Sequence, residues 1–207
     1  MQAKEFSNLL SSLSACHEAS EWAGGKDLKT VWETCERGDW LLWLCVRMIG
    51  KEGWPSRQDV VLAACDCAEP ALRYVRVGED RPRKAIETAR AWARGEATIE
   101  EVRETRRAAS DAAATAASAA FAAAYAFTSG RIAATAAYAA ATAYAAATAA
   151  YAASAAADAA ATAYAAATVA TAAYAAADVY DAYAATRKQS LKDSADLIRK
   201  RLTPPLN

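Results

Sequence analysis

An alanine-rich tract constrains the fold of this chain more than any other feature of its sequence. Residues 108–186 contain 47 Ala among 79 positions, and no Pro occurs from 83 to 203. Alanine has the highest intrinsic helix propensity, so the tract predicts helix. We find no alternating stretch of β-branched residues that would indicate a strand. The fold class we predict is all-α.

The length of the tract predicts turns within it. Residues 131–187 contain neither Gly nor Pro, and a single straight helix of that length would reach about 85 Å. A compact domain does not accommodate such a helix, so we expect further breaks besides the one at Thr128–Gly130. Asp158 and Asp178 are either N-caps of internal helices or exposed acids on a helix surface.

Helices with so few charges need packing partners. Small side chains allow their axes to approach closely, either within one antiparallel bundle or between subunits of a homo-oligomer. We therefore expect a multi-helix bundle or a short helical superhelix, with tightly packed Ala-rich helices in the C-terminal half. A second function class follows, in which the tract assembles into homo-oligomers or filaments. Ice binding is a minor alternative, because the Thr residues show no eleven-residue series.

Composition divides the chain into three regions that we expect to form one compact domain: a Trp-containing region 1–97, an Ala/Tyr/Thr-rich region 98–187 and a C-terminal helix and tail 188–207. All six Trp precede residue 93. Capping patterns and glycines delimit the helices outside the tract. We predict helices from Phe6 to Ala23, from Asp27 towards Gly38, across Trp40–Cys45 as the core helix, from Ser56 to Val75, from Pro82 to Arg94, from Thr98 into the tract, and from Ser190 to Leu202.

Charge and composition exclude several partner classes. The chain has 24 Lys+Arg against 24 Asp+Glu, so no electrostatic attraction to nucleic acid is expected. The tract lacks the Leu, Ile, Val and Phe content of a membrane-spanning helix, and Met1–Leu10 lacks a signal peptide's apolar core. We expect a cytoplasmic protein with no membrane partner.

Its five Cys residues, an odd number without regular spacing, are expected to be buried free thiols.

Candidate catalytic and metal-binding residues do not form a site. His17 is adjacent to Cys16, and neighbouring helical positions point about 100° apart, so these side chains cannot form a nucleophile pair locally; we expect a partly buried structural His17. Cys65 and Cys67 have one intervening residue, too few for a structural zinc site. Glu100 and Glu101 are explained as helix-capping acids. No phosphate-binding loop or serine elbow occurs. We expect that the chain is not an enzyme and that it binds neither a cofactor nor a metal ion.

Several segments resemble a family of bacterial immunity proteins, small helical proteins encoded near polymorphic or contact-dependent toxins. The resemblance rests on Ala15–Ala23 (ACHEASEWA), Glu36–Trp43 (ERGDWLLW), Gly78–Glu87 (GEDRPRKAIE) and Ala91–Thr98 (AWARGEAT), and on a terminal helix after a long Ala/Tyr tract, here Ser190–Lys200. The resemblance implies a non-catalytic protein that binds and neutralises a cognate toxin.

Two charged turns are the candidate contact surfaces under this resemblance. Glu36, Arg37 and Asp39 precede the core helix, and the second turn contains Glu79, Asp80, Arg81 and Arg83. Interfaces of this kind favour aromatic and arginine anchors. Trp40 and Trp43 are expected to face the core, and Trp22, Trp54 and Trp92 are the candidates for exposure.

Overall fold

The computed structural model describes residues 1–75, 77–109, 111–112 and 184–206, and this part of the chain is helical without a β-strand. The all-α prediction is therefore confirmed for these residues. The expected turns at Thr128–Gly130, Asp158 and Asp178 lie outside them. The helices are α1 (Ala3–Ser12), α2 (His17–Ala23), α3 (Leu28–Thr34), α4 (Gly38–Arg47), α5 (Arg57–Ala68), the 3-10 helix Glu69–Tyr74, α6 (Arg81–Ala93), α7 (99–109, continuing at 111–112) and α8 (Ala184–Arg201).

Three helix starts that depend on a local cap were predicted correctly. The Asp27 carboxylate accepts a hydrogen bond from the Thr30 amide at 2.7 Å and caps α3. Ser56 and Asp59 form a reciprocal capping box at the start of α5. The Thr98 amide likewise donates to Glu101 at 2.7 Å. Each cap satisfies amides that the first helical turn leaves without partners.

Four predicted helix boundaries are wrong. The helix predicted from Asp27 towards Gly38 ends at Thr34, and Gly38 is the first residue of α4. The stretch from Phe6 to Ala23 is two helices, because the chain turns at Ser14, whose φ is +57°. The helix from Ser56 ends at Ala68. The 3-10 helix begins at Glu69, and its second residue, Pro70, has no amide hydrogen to continue the α-helical pattern. Residues 184–190 are already helical, so Ser190 lies within α8 rather than at its N-cap.

Helix α4 forms the centre of the core, as its apolar run predicted. Its buried side chains are Leu41, Leu42, Leu44, Cys45 and Val46. One side of α4 packs with α5 and α8, and another packs with α1 and α3. A third apolar cluster joins α5, α6 and α7. This arrangement fixes the turns at both ends of α4.

Helix α8 shares the core of the N-terminal helices. Ala195, Ile198 and Leu202 are buried against α4 and α5. The Arg199 guanidinium donates to the Trp32 carbonyl at 2.6 Å and also to the Cys35 carbonyl. These carbonyls lie at the C-terminal end of α3, where a cation is favourable. Helix α8 therefore holds the turn between α3 and α4.

Charged side chains also link α5, α6 and α8. The Asp66 carboxylate accepts from Arg90 at 2.8 Å and from Arg201 at 2.5 Å, and Arg90 also donates to Glu69 at 2.7 Å.

None of the described helices combines the length and apolar character that a membrane-crossing segment needs.

Candidate partner-binding surfaces

The turn before α4 holds Arg37 against the buried carboxylate of Asp39. Asp39 lies in the first turn of α4, not before the helix as expected. Arg37 donates to both Asp39 oxygens, at 2.9 and 2.6 Å, and to Glu18 at 3.2 Å. This bidentate pairing fixes the plane of the guanidinium. Asp39 is only 5% exposed, so it positions Arg37 and does not itself present a contact surface.

The same arginine belongs to a stack of aromatic and cationic side chains, here called the tryptophan cluster: Trp22, Lys26, Arg37 and Trp40. The two indole rings lie 5.9 Å apart at 55°. Arg37 lies 4.3 Å from the Trp40 ring centre, and Lys26 lies 4.0 Å from that of Trp22. Both distances are within the range of cation–π attraction. The cluster therefore orders two cations beside half-buried tryptophans.

The tryptophan exposures differ from the expectation. Trp40 and Trp43 are only partly buried, and so are Trp22, Trp54 and Trp92. Trp32 is the tryptophan with a buried side chain, at 5% exposure. Trp40 and Trp43 pack against the core as predicted, although neither side chain is fully buried. The spacing of Trp40 and Trp43 predicted that they share a helix face, but it did not predict how far each ring is buried.

Glu36 extends this surface outwards. Its carboxylate lies 3.5 Å from the ammonium of Lys192 and 4.0 Å from that of Lys188, both on α8, and the Glu36 side chain is 49% exposed. Such exposed pairs contribute little to stability, about 0–1 kcal/mol. Glu36 is accordingly available to a partner at small energetic cost to the fold.

The second charged turn is internally paired except at Arg83. Arg81 donates to Glu79 through its backbone amide at 3.1 Å and through Nε at 2.7 Å, and Lys84 lies 2.6 Å from Asp80. The hydrogen bond from Arg81 lowers the pKa of Glu79, and the one from Lys84 lowers the pKa of Asp80. Both acids are therefore charged at neutral pH. Arg83 is exposed and makes no hydrogen bond or ion pair to any residue that the structure describes.

A cavity of about 370 Å³ lies beside this turn. Its apolar lining comes from Leu72, Val75 and Val77, and its polar lining includes Asp80 and Arg83. Val77 is 99% exposed. Sequence reasoning missed these three apolar residues, although Val75 and Val77 directly precede the charged turn.

The remaining candidate residues form no site in the described part of the chain. His17 is 93% exposed and lies 3.9 Å from Glu21, so the expectation of a partly buried His17 is wrong: it begins a short surface helix. Glu101 caps α7. No group of three or more His, Cys, Asp or Glu side chains among the described residues is placed to hold a metal ion.

Three of the five thiols are buried as predicted, whereas Cys67 is only partly buried and Cys16 is exposed. Cys16 is exposed, which contradicts the prediction for that residue, because it precedes α2 at the surface turn. Burial raises the pKa of Cys35. It raises the pKa of Cys45, Cys65 and Cys67 to about 12. Since the thiolate is the reactive form, these four are poor nucleophiles.

Comparison with known protein families supports the resemblance seen in the sequence. The model of the family described as "Imm-5 like putative immunity protein" matches residues 54–153, just under half of the 207-residue chain. The match includes the segments Gly78–Glu87 and Ala91–Thr98, and the cavity lies within it. The segments Ala15–Ala23 and Glu36–Trp43 lie before it. No curated protein and no solved structure matches the chain.

Proposed function

We propose that this chain is an immunity protein that binds a cognate bacterial toxin and neutralises it. The observation that carries the proposal is the match of residues 54–153 to the immunity protein family. Neutralisation by binding requires no catalysis, and the described residues bring together no nucleophile and base. The proposed mechanism is stoichiometric: the chain covers the toxin's active site or holds the toxin in an inactive form. We place this encounter in the cytoplasm.

The two charged turns are the proposed contact surfaces. In the first, Glu36 and Arg37 meet the partner, and Asp39 acts through Arg37. The tryptophan cluster supports this assignment, because aromatic rings and arginines held in place before binding lose little conformational freedom on association.

In the second turn, Arg83 meets the partner directly. Glu79, Asp80 and Arg81 shape the surface around it through their own ion pairs. This turn has additional support, since it lies within the part of the chain that matches the family.

Affinity capture followed by a toxicity assay tests the proposal. The tagged chain is used to capture partners from a lysate of its source cells, bound proteins are identified by mass spectrometry, and the mass of the complex is measured by light scattering. The captured protein is then expressed in a host with and without this chain. We expect a complex of fixed stoichiometry, growth arrest by the partner alone, and restored growth when both are expressed.

Two results would overturn the proposal. In the first, the captured protein does not harm the host, or co-expression fails to restore growth. In the second, the capture yields only further copies of this chain at a mass of several subunits, as a self-assembling protein predicts.

A further inference from the structure

The cavity beside α6 combines an exposed apolar residue at its rim with Arg83, which makes no hydrogen bond or ion pair to the residues that the structure describes. Val77 is 99% exposed, while Leu72 and Val75 are partly buried along the lining. A fully exposed valine at the rim of a cavity with one apolar wall is a feature of sites that bury an apolar group from another molecule.

The size of the cavity restricts what enters it. Its volume is about 370 Å³, near the lower end of the range of about 300–1,000 Å³ that ligand sites span. One large apolar side chain, with part of its own backbone, fits such a volume. A helix laid lengthwise does not.

The charges around the cavity favour a carboxylate. Glu79 and Asp80 are neutralised by Arg81 and Lys84, whereas Arg83 makes no hydrogen bond or ion pair among the described residues. Glu69 interacts with Arg83 only at longer range, since its hydrogen bond goes to Arg90. Among the described residues, the charge at the rim that is not already paired is therefore the positive charge of Arg83. A partner's Lys or Arg would meet Arg83 and find both nearby carboxylates already paired.

We propose that this cavity receives a large apolar side chain of a partner protein, and that a carboxylate next to it in the partner's sequence pairs with Arg83. The inference rests on the proposed function and deepens it, because it names the chemistry of the toxin segment that the chain recognises. The segment is an apolar residue adjacent to Asp or Glu on the toxin surface.

Blocked dipeptides test the cavity without the toxin. The full chain, with ¹³C-labelled Leu and Val methyl groups, is titrated with N-acetyl-Leu-Asp-methylamide and with the uncharged Leu-Asn and oppositely charged Leu-Lys peptides. We expect shifts at the methyl groups of Leu72, Val75 and Val77, and about threefold tighter binding of the Asp peptide than of the Asn peptide, in line with one exposed ion pair. The Lys peptide should bind most weakly.

Two variants separate charge recognition from a general effect of charge. Arg83→Gln should abolish the preference for Asp over Asn. Lys29→Gln removes a positive charge from an exposed side chain on α3 and should retain the preference.

Several results would overturn the inference. They are equal binding of the Asp and Asn peptides, shifts confined to other methyl groups, and a preference that survives Arg83→Gln. Contacts of the Val77 methyls with another segment of the chain, or resonances that move with protein concentration, would show that the chain itself or a second copy fills the cavity. The peptide titration contains no toxin, so its result is independent of the toxicity assay. Peptide binding without neutralisation would refute the proposed function alone. Neutralisation without peptide binding would refute this inference alone.

Discussion

Gly38 and Ser194 lie so close that a Cβ atom added at Gly38 would stand 2.6 Å from the Cβ atom of Ser194. The start of α4 thus meets the middle of α8 almost backbone to backbone, and any residue larger than glycine would separate the two helices. The close approach lies next to Arg37 and Asp39, so the packing of α8 also determines the position of the turn before α4.

Gly38→Ala should destabilise the protein by about 1–3 kcal/mol, the range seen for overpacking. We expect no rescue from Ser194→Gly in the double variant, because the added Cβ would still lie 2.7 Å from the backbone nitrogen of Ala195. Urea unfolding gives the change in the free energy of unfolding. Gly24→Ala is the control and should cost less, since its nearest contact, the Glu21 carbonyl oxygen, is 3.1 Å away. Equal losses at both glycines would refute the close approach of α4 and α8.

Arg199→Ala should lower the free energy of unfolding by about 2 kcal/mol, since hydrogen bonds that involve a charged group contribute about 1.5–3 kcal/mol. The substitution removes the donors to the carbonyls of Trp32 and Cys35. Arg199→Lys should recover only part of the loss, because an ammonium lacks the fork that reaches both oxygens. Urea unfolding measures both variants. Lys200→Ala, at the exposed next position, should change stability by less than about 0.5 kcal/mol.

One thiol should react with iodoacetamide in the native protein at pH 8, and four should react only after unfolding. Cys16 is exposed, whereas burial raises the pKa of the other thiols, Cys35, Cys45, Cys65 and Cys67. Intact-mass spectrometry over time counts the alkylated thiols. Cys16→Ala should remove the fast phase, and rapid modification of a second thiol would contradict the burial described here.

Alkaline pH should destabilise the protein through its buried thiols. The pKa of Cys45 rises from 9.0 to about 12 on folding, so between these values the folded state keeps a proton that the unfolded state releases. This contribution to stability is complete below pH 9 and is lost as the pH rises towards 12, with a slope of about 1.4 kcal/mol per pH unit. Urea unfolding of Cys45→Ala across this window should give a shallower pH dependence than the wild type. Cys16→Ala, which changes an exposed side chain, should retain the wild-type slope.

Glu36→Gln should weaken binding of the captured toxin about fivefold, the upper end of the effect of one exposed ion pair. Glu33→Gln is the matched control, since that side chain is similarly exposed and pairs with Lys29 at 4.0 Å; it should change affinity less than twofold. Isothermal titration calorimetry measures both variants. Equal effects would remove the turn before α4 from the contact surface.

How well each feature was predicted from the sequence depends on how local its cause is. The caps at Asp27 and Ser56 were predictable because each involves residues three positions apart. The Trp22–Trp40 contact was not, since it depends on how α2 crosses α4. Likewise, the charged turn containing Arg83 was visible in the sequence, whereas the cavity beside it was not.

The packing of α8 also sets when this protein becomes functional during synthesis. Arg199 and Trp32 are 167 positions apart, so the first helices cannot complete their core until α8 has been made. Contacts between such distant residues form slowly, because a long loop must close first. While α8 is still in the ribosome, the unfinished core exposes apolar surface to chaperones and proteases. Completion of the folded core therefore lags behind the synthesis of the N-terminal helices.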